Sequence, residues 1–236
     1  MVSEHHSQMR DERYKIDRDL CANRPVGRPE TDQVRSWAMG GLGNGLCAAN
    51  HHEDALSVQE ALLSVNRRLG APGAAIVLVL SNLAGTYQSL GRYEQALRMR
   101  REVYLVRVKF EGEEHEGTLR EAYNYAAELL YLRRFDETKS VICKMMPVAR
   151  RVLGDSHEIT LLMRWTYATA LYEDDAATLD DQREAVATLA DAERIARRVL
   201  GGAHPTTVLI GRCLRASRAV LRARETPPPP SPAGSV

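Results

Sequence analysis

Three histidines recur at matched places, His115, His157 and His204, each three residues after a glycine (Gly112, Gly154, Gly201). Imidazoles repeated in this way can hold a metal ion or build a turn. Equivalent loops of stacked helix pairs stand about 10 Å or more apart, whereas the ligands of one ion lie about 2 Å from it. A turn-building role is expected, and no metal. His5-His6 and His51-His52 have no companion ligands. The acidic run Glu173-Asp174-Asp175, with Asp180, Asp181 and Glu184, echoes a calcium loop, since Glu184 holds its final place. Ala177 stands where such a loop needs a ligand and Thr178 where it needs glycine, so the run reads as an inserted surface loop. The four cysteines (Cys21, Cys47, Cys143, Cys213) are widely spaced without a Cys-x-x-Cys pair, which points to reduced thiols in an intracellular, cytoplasmic protein. No nucleophile elbow, phosphate loop, His-Glu-x-x-His or dinucleotide fingerprint occurs, and the Gly40–Gly45 cluster follows no strand. Neither catalysis nor a cofactor is expected.

The elements that must carry these residues come from a longer rhythm. Gly70, Gly112 and Gly154 are spaced by 42, and Gly201 follows 47 later. A basic residue stands three before each glycine (Arg67, Lys109, Arg151, Arg198), and a small residue fifteen or sixteen before it (Ala55, Ala96, Thr138, Ala185). Periods of this size signal stacked units, none of which buries its apolar face alone. Within each unit the apolar residues step by three and four, as Val77, Leu80, Leu83, Ala84 and Tyr87 do, so the units are helical. The pattern predicts helix pairs over about 33–225, including 119–132 with 135–153, 159–172 with 182–200, and a last helix over 206–224. The glycine after each second helix is expected to cap it in the left-handed conformation, and Pro205 to open the last helix. The five extra residues of the last full unit fall between its helices, at 173–181. The first unit is the least regular. Four glycines lie in its first helix, each costing about 1 kcal/mol relative to alanine, so that helix is either held by its neighbour or irregular.

Residues 1–32 are polar and read as a lead or as the worn second helix of a preceding unit, since Gly27 stands 43 before Gly70 and Arg24 three before it. Residues 226–236, with four consecutive prolines, read as a disordered tail. The formal charge of +1 supplies no bulk attraction for nucleic acid or an anionic membrane. No apolar run is long enough to span a bilayer, and the N-terminus has no signal-peptide core. Arg212, Arg215, Arg218, Arg222 and Arg224 make the last helix basic. It suits the solvated outer face of a terminal unit, or a surface for an acidic partner or phosphate.

The stretch Asn82-Leu83-Ala84-x-x-Tyr87-x-x-Leu90-Gly91-Arg92-Tyr93-Glu94-Gln95-Ala96-Leu97 resembles the tetratricopeptide repeat, with Arg100 in place of the later aromatic. The 42-residue period, with Leu-Gly-x-x-His-x-x-Thr between units, resembles the kinesin-light-chain and nephrocystin type, over residues 33–225. The resemblance implies an all-α, right-handed superhelix of about four helix pairs plus a C-terminal capping helix. It implies a non-enzymatic scaffold whose first helices line a concave groove for extended peptide segments of partner proteins. Two other readings stand beside it: a nucleic-acid-binding helical array, and a detached module of a larger signalling or kinesin-adaptor protein. Kinesin light chains carry a heptad coiled coil ahead of their repeats, and residues 1–32 show no sustained heptads. In peptide-binding members, an asparagine two residues before the small residue of the first helix holds peptide backbone. Asn82 and Asn124 occupy that place here, while the third frame has Thr166. Arg120, one turn before Asn124, is placed to pair with a peptide carboxylate. Tyr123, Tyr131, Trp165 and Tyr172 are expected on or near the same surface, as flat contacts with polar tips.

Overall fold

The computed structural model describes residues 30–225, with side chains from Val34 onward. The tail at 226–236 and nearly all of the polar lead lie outside the described residues. Among these, nine α-helices follow one another with no strand: α1 (Glu30–Ala48), α2 (His52–Arg68), α3 (Gly73–Ser89), α4 (Tyr93–Glu111), α5 (Glu116–Tyr131), α6 (Phe135–Leu153), α7 (Glu158–Tyr172), α8 (Leu179–Val199) and α9 (Pro205–Glu225). They form an all-α solenoid of helix pairs. None is long and apolar enough to cross a membrane. The chain divides into two compact units at Phe110/Glu111.

In the first unit α1 packs on α2 and α2 on α3, and α1 also touches α3. The core is Leu56, Leu62, Leu63, Val77, Val79, Leu80, Leu83 and Val103. The glycine-rich α1 is one continuous helix, held by its neighbour. A Cβ at Gly43 would stand 3.0 Å from the Gln59 side chain, so the missing atom is what lets α1 lie close to α2. Where the two meet α3, three buried or half-buried polar groups close a ring. Cys47 Sγ and Thr86 Oγ1 share a hydrogen bond (3.1 Å), Thr86 donates to Gln59 Oε1 (2.8 Å), and Gln59 Nε2 donates to Cys47 Sγ (3.6 Å). Each group is thereby hydrogen-bonded, so burial leaves none of the three side chains unpaired.

In the second unit each helix packs on the next, and α5 also touches α7, as α7 touches α9. The first helices of successive pairs therefore meet directly and form the inner layer. The largest core joins Leu161, Leu171, Leu189, Ile195, Ile210 and Leu214, with alanines at most of the remaining contacts. Alanine lets helices approach closely, which suits a chain with two Phe and two Trp.

The inter-pair turns explain the histidines. His115, His157 and His204 each stand just before a first helix, and each Nδ1 accepts the backbone N–H two residues on, from Gly117 (3.1 Å), Ile159 (3.3 Å) and Thr206 (3.3 Å). They satisfy donors that a helix start leaves without intrahelical partners. The preceding glycine differs in one respect from the expected left-handed cap. Gly154 has φ 87° and ψ 163°, an extended mirror-image conformation beyond the left-handed helical region. His157 N–H then donates to Gly154 O (3.4 Å), closing the turn ahead of α7.

The insertion also differs from expectation, because part of it is helical. Thr178 and Asp181 form a reciprocal capping box, which starts α8 at Leu179, three residues before the expected Gln182. The rest of the loop is pinned. Asp174 accepts from Lys139 Nζ (3.2 Å) and from Ala176 N–H (3.0 Å), and Arg133 donates to Glu173 O (3.2 Å).

Candidate functional site

The three capping histidines set a common register for the first helices of the second unit, so columns of equivalent residues can be followed from helix to helix. The asparagine column runs Asn82, Asn124, Thr166, Cys213. Only Asn124 of these is an amide in the second unit. Thr166 is fully buried and gives its hydroxyl to Leu162 O (2.9 Å). Cys213 is buried and accepts the indole N–H of Trp165 (3.1 Å). Asn82 lies in the first unit, where its amide donates to Asn44 Oδ1 (3.0 Å).

The aromatics divide into two groups. Trp165 and Tyr172 are brought together around Cys213, half-buried against the core of α7, α8 and α9. Tyr172 donates its hydroxyl to Glu173 (3.2 Å). Its pKa is pushed well above the ordinary phenol value, chiefly by burial and then by Cys213 and Glu173. Tyr123, half-buried on α5, is also raised, by burial and then by the Glu158 carboxylate. Raised phenols stay protonated at neutral pH and remain donors. Trp165 and Tyr172 thus spend both packing surface and polar tips within the chain. Tyr131, by contrast, is 64% exposed.

What faces outward is a stripe on α5. Arg120, Asn124, Ala127 and Tyr131 step by four, three and four, which places them on one helix face. All four are exposed or half-exposed. Arg120 pairs with Glu116 (2.6 Å), and Asn124 donates to Glu121 (3.2 Å). Both contacts lie along the same helix and use one donor each of a guanidinium with five and an amide with two. The stripe is about 16 Å long at 1.5 Å per residue. On α7 the counterparts of Asn124 and Ala127 are Thr166 and Thr169, both buried, so there the stripe closes.

A buried ion pair was not legible in the residue types. Arg164 on α7 is buried and donates to Asp191 on α8. Arg164 and Arg194 on Asp191 hold its carboxyl below the usual range. The 42-residue register was the available signal, since it aligns Arg164 with Ala122 and Leu80, both fully buried. On α9, Arg212, Arg215, Arg218 and Arg222 are exposed, and Arg224 donates to Ala177 O.

The tetratricopeptide repeat family model matches residues 78–116, from the middle of α3 to the first residue of α5. No curated protein matches the chain in sequence. Among solved structures, a putative kinesin light chain with nearly identical TPR-like repeats, from Podosopora anserina, superposes with TM-score 0.63 at 16% identity. The match covers 84% of this chain and 91% of that one. A variant of the same protein gives 0.65 at the same identity and coverage. BtubC (BKLC) from P. vanneervenii gives 0.52 at 15% identity, over 94% of this chain and 95% of that one. At these identities the likeness is one of fold.

Proposed function

We propose that this chain, which carries a tetratricopeptide repeat at 78–116 in a fold like that of kinesin-light-chain repeat proteins, is a non-enzymatic protein-interaction scaffold. Its ligand is an extended peptide segment of a partner protein, held on the outward stripe of α5. The observation that carries this reading is the alignment of Arg120, Asn124, Ala127 and Tyr131 on one face. Together they offer a cation, an amide able to pair with peptide backbone, a small residue that permits close approach, and an aromatic ring. A stripe of about 16 Å accommodates about five residues of extended chain at 3.3 Å each. Trp165 and Tyr172, packed against the core of α7, α8 and α9, brace the inner layer, and Tyr123 flanks the stripe. Asn82 serves the first unit through Asn44.

Selection of a phage-displayed random peptide library on the full chain, followed by fluorescence anisotropy with the selected peptides, tests this. Arg120→Ala with Asn124→Ala should weaken binding by about 1–3 kcal/mol, the cost of losing charge-assisted and partly buried hydrogen bonds, with little change in melting temperature. Peptides that bind the folded double variant with unchanged affinity would refute the α5 site.

A further inference from the structure

Among the described residues of the first unit, α1 carries an exposed apolar face. Val34, Trp37 and Leu42 are 60%, 59% and 54% exposed. Gly41 and Gly45 stand between them, and a Cβ at either would meet nothing within 4 Å. Helical spacing puts these five on one side of α1, opposite the side that packs on α2.

The next first helix shows what such positions do when a second helix precedes them. Val77 and Leu80 stand four and seven residues after the first residue of α3, as Val34 and Trp37 stand after that of α1. Ala84 stands eleven residues after the first residue of α3, as Gly41 does in α1. Val77, Leu80 and Ala84 are 7%, 0% and 0% exposed, and Val77 and Leu80 share a core with Leu56, Leu62 and Leu63 of α2. The same positions are thus core in α3 and surface in α1, and the element that differs is a preceding second helix.

The sequence ahead of α1 repeats the junction ahead of α3. Asn23-Arg24-Pro25-Val26-Gly27-Arg28-Pro29 aligns with Asn66-Arg67-Arg68-Leu69-Gly70-Ala71-Pro72, identical at Asn, Arg, Gly and Pro. Each shared residue has a structural task in the second copy, the arginine through the ion pair of Arg67 with Glu102 of α4. Asn66 is buried, its carbonyl accepts from Ala71 N–H (2.8 Å), and its side chain accepts from Ser36 (3.4 Å). Gly70 has φ 61°, which glycine adopts without strain. Pro72 immediately precedes α3. Likewise, α1 begins at Glu30, immediately after Pro29.

We propose that residues of this chain before Gly27, centred on Ile16 and Leu20, dock as the second helix of a preceding half-unit and cover the Val34–Trp37–Leu42 face of α1. In the 43-residue register Ile16, Leu20 and Asn23 fall on Gln59, Leu63 and Asn66, all buried on α2. Gln59 meets Thr86 across the α2–α3 contact. Arg13 and Asp19 fall where α2 has Leu56 and Leu62, so the covering stripe is narrower than that of α2.

The chain has two tryptophans, Trp37 and Trp165, so Trp165→Phe in the full chain leaves Trp37 as the sole reporter. The expected result is blue-shifted emission with low acrylamide quenching, independent of protein concentration. Adding Ile16→Asp and Leu20→Asp should shift emission to the red and raise quenching severalfold, while helical circular dichroism falls only slightly. As a measurement free of the Trp165 substitution, hydrogen exchange over 34–45 should accelerate in the Ile16→Asp, Leu20→Asp chain and stay unchanged over α7–α9. Water-like emission before those substitutions, no response to them, or protection that vanishes on dilution, as a second copy would give, would each overturn the proposal.

Discussion

Asp191→Ala probes the buried arginine of α7. The Arg164 side chain is 8% exposed, and Asp191, at 43%, holds it from α8. Asp191 is also shared with Arg194. Coulomb attraction at contact distance is about 1 kcal/mol in water and about 4 kcal/mol at the effective dielectric of a protein surface. With one partner half in solvent the pair falls between these limits. Removing the carboxylate also leaves Arg164 as a buried cation, whose Nη1 already has no hydrogen-bond partner. The loss on Asp191→Ala should therefore be about 2–3 kcal/mol, toward the lower end of what breaking a buried pair costs. Arg164→Leu should cost far less, because that register position is filled by Leu80 and Ala122 elsewhere in the chain. Arg164→Leu with Asp191→Ala should recover most of the loss. Urea unfolding is read through Trp165, adjacent to Arg164, in a Trp37→Phe chain, which confines the signal to the second unit. A double variant no more stable than Asp191→Ala, or Arg164→Leu as damaging as Asp191→Ala, would refute the argument that an orphaned charge dominates.

Two further outcomes follow from the turns and the insertion. His157→Ala should lower stability by about 1 kcal/mol through loss of the cap on Ile159 N–H, and His157→Asn should restore most of it; thermal melts of both variants check this. Asp174, Asp181 and Asp191 are all held below their ordinary range, by the Ala176 N–H, by the Thr178 hydroxyl and by Arg164 respectively as the leading causes. A folded pKa below the unfolded one adds stability above the unfolded value, about 4, and that stability is lost as pH falls through the folded value. Melting temperature should fall on acidification below about pH 4, and less steeply in an Asp174→Asn, Asp181→Asn chain.

Much of the solenoid was legible because a repeat states its rules several times. Apolar spacing placed α5 to α7 and α9 within a few residues, and the glycine–histidine interval marked every boundary between pairs from α4 onward. Local chemistry set the start of α8, where the Thr178–Asp181 box outweighed the apolar pattern. The glycines of α1 read as a weakness under helix propensity. Propensity is local, whereas their use depends on how near Gln59 of α2 comes to Gly43.

The sequence by itself determined the repeat period, the helical class and the turn-building role of the histidines, because these depend on residues within a few positions of one another. Only the tertiary structure decided which polar columns face water. Asn124 and Thr166 hold the same register position, yet the first lies on an outward stripe and the second is sealed between neighbouring helices. It likewise decided that Trp165 gives its N–H to Cys213 and that Arg164 is buried against Asp191. Exposure is set by what the adjacent helix covers, and no single helix carries that information in its own spacing.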